Sequence, residues 1–139
     1  MNKLGTIYIT KQDFERLKML IAETMIKDPG QQKYLHQLST ELDQAEVCDQ
    51  KNIPEDVITM NSKIHLRDLD SSEEVIYTLV YPVHANIDLG QVSILAPIGT
   101  GMIGYRVGDV IEWPVPGGTR RLEVKGVLYQ PEASGEFLQ

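Results

Sequence analysis

"LAPIGTGMIGYRVGDVIEWPVPGG", residues 95–118, holds six of the chain's eleven glycines and three of its seven prolines, yet it is threaded with Leu, Ile, Met, Val and Trp. Backbone freedom of that density inside an apolar run has three explanations: a loop that cradles phosphate, a catalytic turn, or close packing of a small helix among strands. Pro97 stands where a first-turn proline fits and Gly104 where a glycine ends a helix. Between them lie roughly two turns that carry Ile98, Met102 and Ile103. Gly99 and Gly101 remove side chains where backbones would approach closely, and "RVGD" and "PGG" read as tight turns. The spacing "GTGMIG" is G-x-G-x-x-G, but no βαβ unit precedes it, no acidic residue follows at the distance a ribose contact needs, and its neighbours are acidic. Thr100 and Ser93 have no His–acid pair implied nearby, so a nucleophilic turn is equally unsupported. Packing of a short helix on a sheet is the reading that uses every residue.

Working outward, the 139 residues suit one typical domain or a small domain with an appendage, and 42% hydrophobic content is enough for a core. The N-terminal "MNKLGTIYIT" lacks the apolar segment of a signal peptide, and no apolar run approaches the ~18 residues of a membrane helix, so a cytoplasmic protein is expected. Cys48 is the single cysteine, which excludes an intrachain disulfide and a cysteine-rich metal site. His36, His65 and His84 are scattered without a second ligand at metal spacing; no metal and no cofactor is expected. Thirteen Lys and Arg stand against twenty Asp and Glu, and the excess is uneven: residues 53–139 carry six basic and twelve acidic groups. Such a surface repels a phosphate backbone, so direct nucleic-acid binding is not expected. Basic protein surface is the better complement.

The N-terminal third is helical. Thr10 followed by Asp13 reads as a capping box that starts a helix at Lys11. Phe14, Leu17 and Ile21, widened by Leu20 and Met25, form its apolar stripe as far as "KDPG". A second helix begins at about Gln31, where Leu35, Leu38, Leu42 and Ala45 repeat at 3-4-3 spacing, the a/d seam of a coiled coil. Two helices with so short a turn must run antiparallel, each about 25 Å long at 1.5 Å per residue. "CDQKNIPEDV" breaks the period and reads as a linker between two separate cores.

Beyond it the period becomes two. Ile58, Met60, Ile64 and Leu66 alternate with polar residues, a strand with one wet face. "EVIYTLVY" (74–81) reads as a central strand apolar on both faces. "QVSILA", "DVIEWPV" with Pro114 near an edge, and "RRLEVKGVLY" after the "PGG" turn complete an antiparallel sheet of about five strands, interrupted once by the short helix. The fold class is therefore α+β, with residues 1–50 as a helical hairpin and residues 51–139 as the sheet domain.

The segment "SILAPIGTGMIGYRVGDVIEWPVPGG" (93–118) resembles the C-terminal domain of the Gre transcript-elongation factors, in which a serine-proline-apolar run, a Leu/Ile-Gly pair, a glycine-aspartate and a Pro-Gly-Gly hairpin occur in this order. With "CDQKNIPEDVITMNSKIHLRDL" (48–69), "TLVYP" (78–82) and "YQPEASGEFL" (129–138), the resemblance sharpens to the Rnk group, the regulators of nucleoside diphosphate kinase, and covers nearly the whole chain. It implies a short N-terminal antiparallel coiled coil joined to a C-terminal domain of FKBP-like fold, acting as a monomer on RNA polymerase. Gre-type proteins dock the C-terminal domain on the rim of the polymerase secondary channel and push the coiled coil toward the active centre.

In the Gre factors, acidic residues at the coiled-coil tip hold magnesium and activate water for cleavage of backtracked RNA. Here the tip reads "IKDPGQQKY": Asp28 is alone between Lys27 and Lys33, a poor set of oxygen ligands. The resemblance maps the docking segment onto Leu95, Ala96, Pro97 and Ile98, with Ala96 in the family's serine position. Leu95 departs from the acidic residue that some members carry there, which makes the implied contact more apolar. The expected function is a regulator that binds polymerase and competes with cleavage factors without catalysis. An active cleavage factor, identifiable by paired acids at the tip, is the alternative, followed by a prolyl isomerase, for which two Phe and one Trp are few aromatics to line a pocket.

Overall fold

The computed structural model describes residues 7–27, 30 and 32–135. The chain opens with a three-residue strand β1 (Tyr8–Thr10) that runs straight into helix α1 (Lys11–Lys27). The Thr10 hydroxyl accepts the Asp13 amide at 3.1 Å, capping the helix where the sequence places its start. Helix α2 (Gln32–Gln44) returns alongside, held by the Lys18–Asp43 ion pair at 2.6 Å. Its Leu35, Leu38 and Leu42 are buried, as are Leu17 and Ile21 of α1. The expected tip residue Asp28 lies outside the described residues.

After α2 the chain forms β2 (Glu46–Cys48), which pairs in parallel with β1, so the hairpin is closed at its base by a two-stranded sheet. That pairing was not expected: the linker is read from Cys48 ("CDQKNIPEDV"), and no strand is read at Glu46–Cys48. Three residues are too few to show a period, and their partner lies nearly forty residues earlier.

The main sheet, among the described residues, has five strands: β3 (Lys63–Asp68), β4 (Glu74–Val80), β5 (Gln91–Ser93), β6 (Val110–Val115) and β7 (Gly118–Tyr129), in the order β5-β4-β3-β7-β6. Three pairings are antiparallel, and β6 and β7 are joined by the expected Pro-Gly turn, in which Gly117 holds φ at 89°. The fourth corrects the all-antiparallel expectation, since β4 and β5 are parallel. The connection between them does not reverse as a hairpin. It passes back along the sheet through two one-turn 3-10 helices, Pro82–His84 and Ile87–Leu89. Irregular register between β3 and β7 at Lys63/Ile64 and His65/Leu66 lets the sheet curl.

Residues 57–62 are not strand as the alternation suggested. They form a tight passage in which Asn61 has a φ of 67° and Val57 bridges to Arg106. Ile58 and Met60 are buried, as are Ile64 and Leu66 of β3, but the expected wet face fails at Thr59, which is buried together with Ser62. Strand β4 lies inside the sheet, but its outer face is not covered, and Ile76 is half exposed.

One hydrophobic core runs from Leu17, Leu35, Leu38 and Leu42 of the hairpin through Ile58 and Met60 to Ile64, Leu66, Leu79, Ile94, Met102 and Val124 of the sheet and short helix. The expectation of two cores separated by a linker gives way to a shared one: β1 and β2 bring the hairpin base close enough for its stripe to close over the sheet. No described helix is long and apolar enough to cross a membrane.

Candidate functional site

The glycine-rich stretch resolves into helix α3 (Pro97–Met102) followed by a chain reversal at Gly104. Pro97 is in the first turn, as read from the sequence, and Gly104 follows the C-cap Ile103 with a φ of 80°. Two glycines are there for close approach. A Cβ on Gly99 would overlap the Ser93 carbonyl oxygen, and one on Gly104 would lie 2.6 Å from Cβ of Ile7. Every residue from Gly99 to Tyr105 is buried. The glycines therefore serve packing, the third of the three explanations.

This packing presents the residues just before it. Ser93 organises the turn: its hydroxyl accepts the Leu95 amide at 3.0 Å and its carbonyl accepts the Ala96 amide at 3.0 Å. The Ile94 amide donates to Val80 on β4 at 2.9 Å, and the Ile94 carbonyl accepts the buried Thr100 hydroxyl at 2.8 Å. Leu95, Ala96, Pro97 and Ile98 consequently form one contiguous, half-exposed apolar turn, with Leu95 and Ile98 leaning on the core. The structure brings these four residues together; Asp28, the remaining site residue of the sequence reading, is outside the described residues.

A second polar locus was missed. Asp13, read from sequence only as the acid of a capping box, is 1% exposed, and its carboxylate reaches beyond the Thr10 cap it also engages. Its carboxylate accepts the Met60 amide at 3.1 Å and the Tyr81 hydroxyl at 3.4 Å, tying the first turn of α1 to the passage 57–62 and the end of β4. Beside it Glu132, also buried, accepts the Thr59 hydroxyl at 2.8 Å, and Thr59 and Ser62 hydroxyls lie 2.9 Å apart. Desolvation pushes the Asp13 carboxyl up to about 6, assisted by the negative charge of Glu132 and opposed by the Met60 amide. Burial and the neighbouring Asp13 likewise push the Tyr81 phenol up. The one sequence signal for this cluster is that Asp13 falls on the apolar side of α1, close to Leu17 at i+4.

Among the described residues no group of three or more His, Cys, Asp or Glu could hold a metal ion. His65 is engaged with Glu74 at 2.8 Å. Cys48 has its thiol 3.7 Å from the Ile9 carbonyl, with burial raising its pKa first and Glu46 second. Among the described residues, the candidate site is a hydrogen-bonded apolar turn.

Comparisons with known proteins give the family. The sequence model of the family described as "Transcription elongation factor, GreA/GreB, C-term" matches residues 53–129, and that of "Rnk N-terminus" matches residues 6–47. A "Regulator of nucleoside diphosphate kinase" from Escherichia coli strain K12 is 40% identical over 134 residues, 96% of each chain. A "Transcription elongation factor GreA" from Clostridium perfringens is 40% identical over 91 residues, 66% of this chain and 58% of that one. Among solved structures, a "Prokaryotic transcription elongation factor GreA/GreB from Nitrosomonas europaea" superposes with a TM-score of 0.74 at 42% identity, covering 90% of this chain and 99% of that one.

Proposed function

This chain belongs to the GreA/GreB C-terminal family and carries the Rnk N-terminal segment ahead of it, and on that premise we propose that it regulates transcription by occupying RNA polymerase. The docking element is the turn Leu95–Ile98, and the place is the rim of the secondary channel, where it competes with Gre cleavage factors. The protein acts in the cytoplasm as a monomer, without a cofactor, and is not an enzyme. Residues 1–50 are the short antiparallel coiled coil and residues 51–139 the FKBP-like docking domain, two family segments that share one core.

The observation that carries the reading is the turn itself. Its backbone is fixed by hydrogen bonds to Ser93, Ile94 and Val80 while its aliphatic side chains remain half exposed, so a partner meets a preformed surface and little ordering entropy is lost. Two further features support occupancy without cleavage. Helices of 17 and 13 residues reach about 25 and 20 Å, a short hairpin. "KDPGQQK" offers one carboxylate between lysines, where coordination of a catalytic magnesium needs several oxygen ligands.

The test follows 3′-end shortening of labelled RNA in backtracked elongation complexes. The protein alone leaves the intrinsic cleavage rate unchanged at saturating magnesium and suppresses the cleavage stimulated by an added Gre factor. Cleavage above the intrinsic rate with this protein alone promotes the active cleavage factor in its place. Unaltered Gre-stimulated cleavage at low salt removes the competition.

A further inference from the structure

Apolar burial holds the helical hairpin on the sheet, but burial is non-directional, and the angle at which the hairpin leaves the sheet must come from contacts that have a direction. β1 and β2 pair with each other and lie outside the main sheet, so strand pairing does not set that angle. Two side-chain clasps reach across instead. The first is the Asp13 carboxylate, which accepts the Met60 amide and the Tyr81 hydroxyl. The second is Arg106. Its Nε and Nη2 donate to the two carboxylate oxygens of Asp56 at 3.2 and 2.9 Å, and its guanidinium carbon lies over the Tyr8 ring of β1, 5.7 Å from the centroid. The Arg106 and Asp56 side chains are 42% and 41% exposed, so the pair adds little to stability. Its forked geometry adds orientation, because a bidentate guanidinium is fixed in its plane and the Tyr8 ring meets that fixed plane.

Both clasps close on segments that flank the turn Leu95–Ile98. Tyr81 follows Val80, whose carbonyl accepts the Ile94 amide at 2.9 Å just before the turn. Arg106 stands two residues beyond Gly104, where the chain reverses after α3 and where a Cβ would meet Ile7 just ahead of β1. The chain between hairpin and sheet is tied to the same place. The Ile58 amide donates to the Tyr105 carbonyl at 2.8 Å, the Gly104 amide to the Ile58 carbonyl at 3.0 Å and the Val107 amide to the Asp56 carbonyl at 3.1 Å. The Gln130 side-chain amide holds the Pro54 and Val57 carbonyls, each at 2.8 Å. The stretch that reads from sequence as a linker is therefore bound from Pro54 to Val57 and leaves no slack there.

We infer that Asp13 and Arg106 are positioning residues that aim the helical hairpin relative to the turn Leu95–Ile98, so that a partner meets the two elements already set at one angle. The partner is taken from the polymerase reading above; the aim itself belongs to the free protein.

The test measures the distance between nitroxides attached through Glu23→Cys on α1 and Lys125→Cys on β7, in a Cys48→Ser background of the full chain, by double electron–electron resonance. The wild-type clasps should give one narrow distance distribution. Asp13→Ala with Arg106→Ala should broaden it to about twice the width, and Arg106→Ala alone should broaden it less. Asp13→Asn, which keeps an acceptor for the Met60 amide, should leave it narrow. Leu122→Ala, a core truncation in the main sheet outside both clasps, should lower the thermal midpoint without broadening, which separates aim from stability. Arg106→Ala alone keeps the test decisive where the double variant fails to fold. Wild-type width in Arg106→Ala, or equal broadening by Leu122→Ala, overturns the inference. Added core RNA polymerase should leave the wild-type distance unchanged and should bind the double variant about fivefold more weakly, because a loose hairpin loses more freedom on binding. A wild-type distance that moves on binding, or a double variant that binds as tightly as wild type, overturns it too. Failure of the wild type to bind removes the polymerase reading, while the widths in the free protein still decide the aim.

Discussion

Replacing Asp13 by asparagine should abolish a pH dependence of stability that the wild-type protein shows between neutrality and pH 4. The carboxyl is packed between Thr10 on β1, the Met60 amide and the Tyr81 hydroxyl, with Glu132 as its nearest like charge and Arg16 acting on Tyr81 from the same helix. Its folded value of about 6 lies above its ordinary 3.8, so the folded protein holds the proton more tightly than the unfolded chain. The stabilisation is fully present below pH 3.8 and is lost as pH rises through 6. Multiplying that displacement by the ~1.36 kcal/mol that one pH unit represents gives about 3 kcal/mol in total. About 1.4 kcal/mol of it is regained by pH 5. Asparagine keeps an acceptor for the Met60 amide and cannot ionise. Urea denaturation followed by circular dichroism at pH 7.5, 6 and 5 should therefore show the variant at least as stable as wild type at pH 7.5. Wild type should gain on it by about 1.4 kcal/mol at pH 5. Two curves that run parallel across this range would refute the argument, because they would show Asp13 ionised at an ordinary pKa in the folded state.

Leu38→Ala, at a fully buried position of the shared core, should cost about 2–5 kcal/mol and should lower the midpoint of helix loss by circular dichroism and of Trp113 fluorescence by the same amount; separate transitions would restore the picture of two cores. Gly99→Ala places a methyl group against the Ser93 carbonyl, and should destabilise by about 1–3 kcal/mol through overpacking while also weakening polymerase binding, whereas retained affinity in the folded fraction would detach docking from the geometry of the turn.

The residues that were legible from the sequence are those whose partners are local. Phe14, Leu17 and Ile21 announce α1 because a helix repeats its face every three to four residues, and Pro97 and Gly104 bracket α3 because each sits where its own backbone restriction fits. The turn Leu95–Ile98 was singled out through resemblance, and its polar scaffold was not legible, since the bond from Thr100 to the Ile94 carbonyl spans six residues and follows no helical or strand period. What stayed illegible is non-local. Asp13 is legible as the partner of Thr10 at the helix start, but not as the acceptor of the Met60 amide forty-seven residues away. The β1–β2 and β4–β5 pairings are parallel and three residues long, too short for alternation to register, and a parallel partner cannot be inferred from an adjacent turn. "EVIYTLVY" reads as apolar on both faces, but the face of Ile76 also carries Glu74 and Thr78 and is left uncovered, which composition alone cannot say.

If the turn Leu95–Ile98 is the docking element proposed above, its area sets how much more surface a partner must cover. Leu95 and Ile98 lean on the core, so much of their apolar area is already removed from water before any partner arrives, and the turn by itself offers little more to bury. A specific protein contact commonly buries about 800 Å² on each side, which four half-exposed residues do not provide. The turn is stiff, which limits the entropic cost of association, but stiffness does not create area. Affinity must therefore come from surface adjoining the turn.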